Sequence, residues 1–244
     1  MVPTLLSERK VNSSFAILAV VFSIVASLVG MIGAANILRG MFEGFFGEGF
    51  GYGYGYARMF GGMFITLLSG LLGILAAIFT LIVLNQWSNT LNENIQNTKV
   101  LLSYLKQKVD ADKQINLSVL EGHLSALNLN IWAYWVYMTF YIVSFIVPMA
   151  SLVFAILAVV FLSIYLQSVF TVAKRLEEIK NAMYPMLGIS SPMLSYIKQR
   201  NVGIFILLVI VTIGIYWWYL LIKLSDEINQ YIDADQKLRQ VINL

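Results

Sequence analysis

The sequence predicts an all-α fold: a polytopic transmembrane helix bundle of about five spans, with amphipathic, heptad-patterned helical extensions outside the membrane. Three observations predict it. Of 244 residues, 59% are hydrophobic and 12% charged, where about 25% charged is usual for soluble domains. All 29 charged side chains fall outside four apolar segments, Phe15–Leu38, Met63–Leu84, Ile131–Phe170 and Val202–Ile222. The polar stretches between these segments keep apolar residues in steps of three and four, the period of a packed helix.

The opening residues, Met1–Ser14, carry Arg9 and Lys10. The apolar run that follows is too long for a signal-peptide core, so it is expected to be retained as the first span. The first, second and fourth apolar segments each have the length of one crossing, about 20 residues. The third, 131–170, would be about 60 Å long as a single helix. A hairpin breaking near Pro148 and Ser151 is the better reading, since proline interrupts helical hydrogen bonding. With the N-terminus in the cytoplasm, five spans place eleven Lys and Arg inside and five outside (Arg39, Arg58, Lys223, Lys237 and Arg239). A single kinked helix over 131–170 gives nine inside and seven outside, a weaker positive-inside bias. The five tryptophans, Trp87, Trp132, Trp135, Trp217 and Trp218, lie near span ends, as interfacial anchors do.

Between the first two spans, Gly40–Gly62 holds nine of the seventeen glycines, alternating with aromatics through Gly49–Tyr56. Glycine weakens a strand and the stretch has little else to form a core. The expectation is a flexible loop whose rings lie on the membrane interface or on a partner. No phosphate loop or dinucleotide fingerprint is present.

Beyond the second span, Leu91, Ile95, Thr98, Leu102, Leu105 and Val109 form a heptad seam. Leu117, Leu120, Leu124 and Leu127 resume it after Asp110-Ala-Asp112, so 87–130 reads as a soluble helical hairpin. Similar seams follow the later spans: Val169, Val172, Leu176, Ile179 and Met183, then Leu221, Leu224, Ile228, Tyr231, Leu238 and Ile242, with a polar interruption at Asp235. Lys108-Val-Asp-Ala-Asp-Lys-Gln also resembles Tyr231-Ile-Asp-Ala-Asp-Gln-Lys, as in a degenerate repeat. Such seams must be buried, either against each other or against another subunit as a coiled coil. Five spans conflict with mutual packing, because they place the tail Lys223–Leu244 opposite the other two; a dip of Met183–Tyr196 into the membrane would restore parity. The expected organisation is an N-terminal transmembrane hairpin (1–86, loop 40–62), a soluble hairpin (87–130), a transmembrane hairpin (131–170), an amphipathic connector (171–201), and a last span with an amphipathic tail (202–244).

The composition excludes several chemistries. With no cysteine and one histidine, neither a thiolate metal site nor a bis-His haem can form. His123, two residues after Glu121, reads as a surface histidine. Glu177 and Glu178 beside Lys174 and Arg175 read as a solvated helix face. No nucleophile, base and orienting group share a motif, so no catalytic, cofactor-binding or metal-binding residue is assigned and no cofactor is expected. The absence of ionisable residues from the spans argues against a pump or coupled transporter. Small residues Gly30, Gly33, Ala34, Ala35 and Gly70, Gly73, Ala76, Ala77 mark close helix packing. The sequons Asn12-Ser-Ser and Asn116-Leu-Ser both fall on the expected cytoplasmic side.

The stretch Arg200–Asn229 carries a basic residue, an apolar run, Thr212-x-Gly214-Ile215-Tyr216, the aromatic pair Trp217-Trp218 and a polar helix rich in Asp, Glu and Asn. It resembles one unit of a family of small prokaryotic membrane proteins of unknown function. It departs from that family where Tyr219 is followed by Leu220 instead of Trp. The resemblance covers about 30 of the 244 residues. It implies a prokaryotic origin and brings no activity. The expected function is a non-catalytic accessory subunit or self-associating scaffold of the prokaryotic plasma membrane, its N-terminus cytoplasmic. Its expected partners are the lipid bilayer and either further copies of itself or other membrane subunits, with no nucleic acid. The alternative is a pore-forming or passive permeation subunit.

Overall fold

A computed structural model describes residues 5–46, 51–146, 150–186 and 194–241. The described residues are helical, in seven elements: α1 (Ser13–Phe46), α2 (Gly51–Lys106), α3 (Ala111–Ser125), α4 (Ile131–Ile146), α5 (Ser151–Met186), α6 (Val202–Val211) and α7 (Ile215–Val241). Three of them, α1, α2 and α5, are long and apolar enough to cross a membrane. They mark the chain as a membrane protein. The chain divides into two units, Ser14–Ile82 and a second made of Met1–Ser13 with Val83–Leu244.

The Ser14–Ile82 unit is an antiparallel pair formed by α1 and the first part of α2. Phe79 stacks on Phe15 and on Phe22, each at 5.7 Å between ring centres, and Ser69 Oγ donates to Ala26 O at 2.7 Å. The glycine-aromatic stretch expected as a loop is helical over 40–46 and 51–62, and 47–50 lie outside the described residues. Here glycine is used for proximity. A Cβ at Gly55 would lie 2.7 Å from Gly44 N and 2.8 Å from Gly40 O, and one at Gly62 would lie 2.8 Å from Gly33 O. Backbones this close leave no room for side chains, which is the packing small residues permit in membranes. Low intrinsic helix propensity is overridden by that contact. The small-residue expectation holds for Gly30 and Gly33, but Gly70 and Gly73 face open space.

In the other unit, α4 and α5 are separate helices, and Pro148, near which the break is expected, lies outside the described residues. Phe140 stacks on Phe154 and Phe161 at 5.9 and 5.6 Å, Trp132 meets Phe161 edge-on at 6.0 Å, and Tyr134 lies 5.7 Å from Tyr165. Tyr134 near the start of α4 thus meets Tyr165 far along α5, and Phe140 further on meets Phe154 near the start of α5, as in an antiparallel hairpin. α3 packs back on α5, and Lys106 Nζ reaches Glu121 across the α2–α3 turn at 2.7 Å. The repeated wording around Asp110 and Asp233 has no structural counterpart. Asp110 lies beyond the end of α2 and caps the start of α3 in extended conformation, whereas Asp233 lies inside α7.

The fifth expected span is not a straight crossing. α6 has ten residues, about 15 Å, and then the chain reverses. Gly214 N donates to Val209 O at 2.8 Å and Ile213 N to Ile210 O at 3.2 Å, the bonds of a Schellman turn. Gly214 has φ 87° and Ile213 φ 50°. Thr212 Oγ1 then accepts Tyr216 N at 3.0 Å and starts α7. Phe205 on α6 meets Tyr216 and Trp217 on α7 at 6.0 and 5.9 Å, contacts a straight helix could not make across eleven or twelve residues. Arg200 is paired with Glu227, so both arms return to one level. The uninterrupted apolar run concealed this break, because Thr and Gly are ordinary inside spans.

The reversal places the tail with the other extensions, resolving the parity conflict by a different route from a dip at 183–196. The connector instead lies along α5. Leu194 N donates to Asn181 Oδ1 at 2.7 Å, and Asn181 Nδ2 donates to Leu194 O at 2.8 Å. Residues 187–193, with Pro192, lie outside the described residues. The three seams bury one another within the chain. Leu91, Ile95, Thr98, Leu102 and Leu105 are buried together with Val169, Val172, Leu176, Ile179 and Met183, and with Leu221, Leu224, Ile228 and Tyr231. Leu120, Leu127, Val109 and Leu238 are half-buried, and Ile242 lies outside the described residues. Trp87, expected as an interfacial anchor, is fully buried here and donates to Ser225 Oγ at 2.9 Å.

Candidate functional site

The interior of this helical bundle holds charge. Asp235, the polar interruption in the tail seam, sits where the helix pattern calls for an apolar residue. Lys180 on α5 is likewise on the buried face, one residue after Ile179. Both are inaccessible to solvent, and Lys180 Nζ lies 2.8 Å from the Asp235 carboxylate. Arg239, one turn along α7, reaches the same carboxylate at 2.7 Å. Tyr184 Oη donates to it at 2.5 Å and Asn94 Nδ2 at 3.1 Å.

A second carboxylate comes from the segment ahead of α1. Glu8 accepts from Arg239, from Asn94 at 2.9 Å and from Asn97 at 2.8 Å. Tyr231 Oη donates to Asn94 Oδ1 at 3.0 Å. Two carboxylates, one ammonium and one guanidinium from three chain segments, bridged by Asn94 of α2, therefore form a closed network. Arg239 Nε is the single buried side-chain polar atom without a partner among the described residues.

Burial would raise the Asp235 carboxyl, but Lys180 and Arg239 outweigh it and hold the group below the ordinary carboxylate value of 3.8. Burial would lower Arg239, but Asp235 and Glu8 outweigh it and raise it. Burial, with Asp235 beside it, pushes the Tyr231 hydroxyl well up. These shifts favour the charged network, while burial lowers the Lys180 ammonium against the opposing pull of Asp235.

The leading segment is held by its backbone as well. Asn97 brackets Leu6, accepting its N–H at 2.7 Å and donating to its carbonyl at 2.9 Å. Asn229 brackets Val11 in the same way, at 2.8 Å in both directions. Gln86 accepts from Asn12 N at 2.9 Å, and Thr90 donates to Arg9 O at 2.8 Å. An extended strap lying across two helices has no ladder partner, so side-chain amides satisfy its backbone groups.

A parallel arrangement fixes the connector. Glu177, expected on a solvated face, is buried. It accepts from Tyr196 N and Ile197 N at 2.5 and 3.0 Å and from Lys174 at 2.7 Å. Glu227 takes a two-pronged contact from Arg200 at 2.7 and 2.8 Å and accepts Lys198 N at 3.2 Å. His123 is exposed near the end of α3, and Glu121 beside it is engaged by Lys106. Among the described residues no group of three or more His, Cys, Asp or Glu is placed to hold a metal ion.

Of the residues that organise this core, sequence reasoning flagged only Asp235. It missed Glu8, Asn94, Lys180 and Arg239, and it misplaced Glu177. The available signal was positional: Glu177 and Lys180 follow Ala173 by four and seven residues on the face that buries Leu176 and Met183. Glu8 had no signal, because extended segments carry no period.

Comparison with known families finds a match over residues 200–243 to a domain of unknown function (DUF4234). It covers the α6–α7 hairpin and the tail that supplies Asp235 and Arg239. No curated protein and no solved structure matches the chain.

Proposed function

We propose that this chain is a non-catalytic accessory subunit or self-associating scaffold of the prokaryotic plasma membrane, with its extramembrane bundle in the cytoplasm. The topology is read as four crossings (α1, α2, α4, α5) and a half-depth hairpin of α6 with the start of α7. It leaves only Arg39 and Arg58 of the sixteen Lys and Arg on the far side, a stronger positive-inside bias than five spans gave.

The observation that carries the association is the tip of the hairpin. About 15 Å of helix ends near the middle of a hydrocarbon core about 30 Å thick. There the chain makes a non-helical turn with Ile213 91% exposed. Irregular backbone at that depth is tolerated where protein or a water-filled cavity covers it, and not against lipid. A neighbouring subunit supplies the cover. The heptad seams are occupied within the chain, so the interface is assigned to the hairpin tip and not to a coiled coil.

The chain has no cysteine, so Ile213→Cys introduces a single thiol. Disulfide dimers in oxidised native membranes, absent for an exposed cysteine on α3 such as Lys113→Cys, are the expected result. No cross-link, together with a monomer and no co-purifying chain in mild detergent, refutes the association. The turn also supports a second reading, a pore in which the broken helix lines a water path. Ion flux from protein alone in liposomes favours that reading over the first.

A further inference from the structure

The connector and the hairpin enclose a cleft of about 580 Å³ where α5 leaves its apolar stretch and α6 begins. Its apolar wall is Phe170 and Ile204, and its polar wall carries Lys174, Arg175, Arg200 and the amide of Asn201, with one carboxylate, Glu178. Lys174 and Arg200 are held from behind by the buried Glu177 and Glu227. Each still has a donor to spare: Lys174 uses its ammonium on Glu177 and on Ile197 O, and Arg200 uses both terminal nitrogens, leaving Nε. Arg175 is exposed on the α5 face of the cleft, and among the described residues its guanidinium makes no hydrogen bond or ion pair.

We infer that this cleft binds the headgroup of an anionic phospholipid from the cytoplasmic leaflet. The ligand must be anionic at one end, to meet three cations of which two are oriented by buried carboxylates and one is unengaged. It must be apolar at the other, to continue along Phe170 and the 60% exposed Ile204 toward the lipid-facing side of α6. A phospholipid at the bilayer surface has both ends, and basic pockets between membrane helices on the cytoplasmic side are where such headgroups bind. The inference rests on the topology proposed above, in which α5 and α6 meet the same membrane face. It does not depend on self-association.

The test is native mass spectrometry of the full chain in mild detergent, titrated with phosphatidylglycerol, phosphatidylcholine or inorganic phosphate. Phosphatidylglycerol is expected to bind at least about tenfold more tightly than phosphatidylcholine, and Arg175→Gln to remove about tenfold of that, as loss of charge-assisted hydrogen bonds does. Arg175→Lys should retain part of it, and Lys113→Gln on α3 should change nothing. Since Arg175 holds no partner, its variants keep the fold. Equal binding of the two lipids, or an Arg175→Gln chain that binds as the wild type does, overturns the inference. Displacement of bound phosphatidylglycerol by inorganic phosphate at similar concentration assigns the cleft to a free anion and also overturns it. A tag after Leu244 found on the opposite side from residues 86–130 removes the topology itself, a failure separable from any lipid result.

Discussion

Replacing Asp235 with alanine strands charge in the bundle interior. Among the described residues Lys180 loses its only hydrogen-bonding partner while remaining fully buried, with the Tyr184 ring 5.9 Å away. Tyr184 Oη loses its acceptor too, whereas Arg239 keeps Glu8, and Asn94 keeps Glu8 and Tyr231. An orphaned buried ion costs about 3–5 kcal/mol, and an orphaned hydroxyl about 1–3 kcal/mol. Lysine can shed its proton and limit the first cost, so the expected loss is about 4 kcal/mol. Replacing both partners, Lys180→Met with Asp235→Leu, removes the stranded ammonium and should recover at least about 2 kcal/mol relative to Asp235→Ala, because an apolar pair of similar volume is often neutral. The assay is equilibrium unfolding in micelles of graded denaturing detergent, read through fluorescence of the buried Trp87. If Asp235→Ala lies within about 1 kcal/mol of wild type, or the double variant is as unstable as the two single losses added together, the network is not what holds the bundle.

Because the folded Asp235 carboxyl lies below its unfolded value of 3.8, its stabilisation is fully present above that value and is lost as pH falls through the folded one. The wild-type unfolding midpoint should therefore drop below about pH 4 more steeply than that of Asp235→Asn, measured by the same fluorescence. Gly62→Ala places a Cβ 2.8 Å from Gly33 O and Ile37 N, whereas Gly73→Ala meets nothing within 4 Å. The first should cost about 1–3 kcal/mol by overpacking and the second should be neutral or mildly stabilising, in the same unfolding assay. Arg200→Lys loses one of two prongs on Glu227 and should cost about 1–2 kcal/mol. A protease-cleavable tag after Leu244 should share the accessibility of one inserted at residues 107–110, in intact cells and in inverted vesicles.

The helices and most buried positions of the extensions were legible, because heptad spacing survives in any helix that packs along one face. Asp235 stood out for the same reason, as a charge on an apolar seam. Two features escaped for opposite reasons. The glycine-aromatic stretch carries weak helix formers, and its helicity comes from backbone contact with a second helix that local composition does not encode. The reversal at Thr212–Gly214 lies inside an apolar run whose hydropathy is the same whether the chain crosses or turns back. Ile213 deepened that concealment, since a β-branched residue at positive φ is the opposite of the usual turn signal. Glu8 was illegible because its role depends on a partner 231 residues away.

That separation has a consequence for biosynthesis. Glu8 emerges from the ribosome 231 residues ahead of its guanidinium partner, Arg239. At about 5–20 residues per second, the strap waits on the order of ten seconds or more before the bundle can close over it. The membrane helices can insert one after another as they appear, but the bundle core is assembled after synthesis has passed Arg239. During that interval the strap lacks Asn229 and Arg239, and Asn94 lacks Tyr231 and Asp235, all of them on α7. Truncation within α7 should therefore leave chains that are inserted in the bilayer but open to proteolysis before α1 and along the extension of α2.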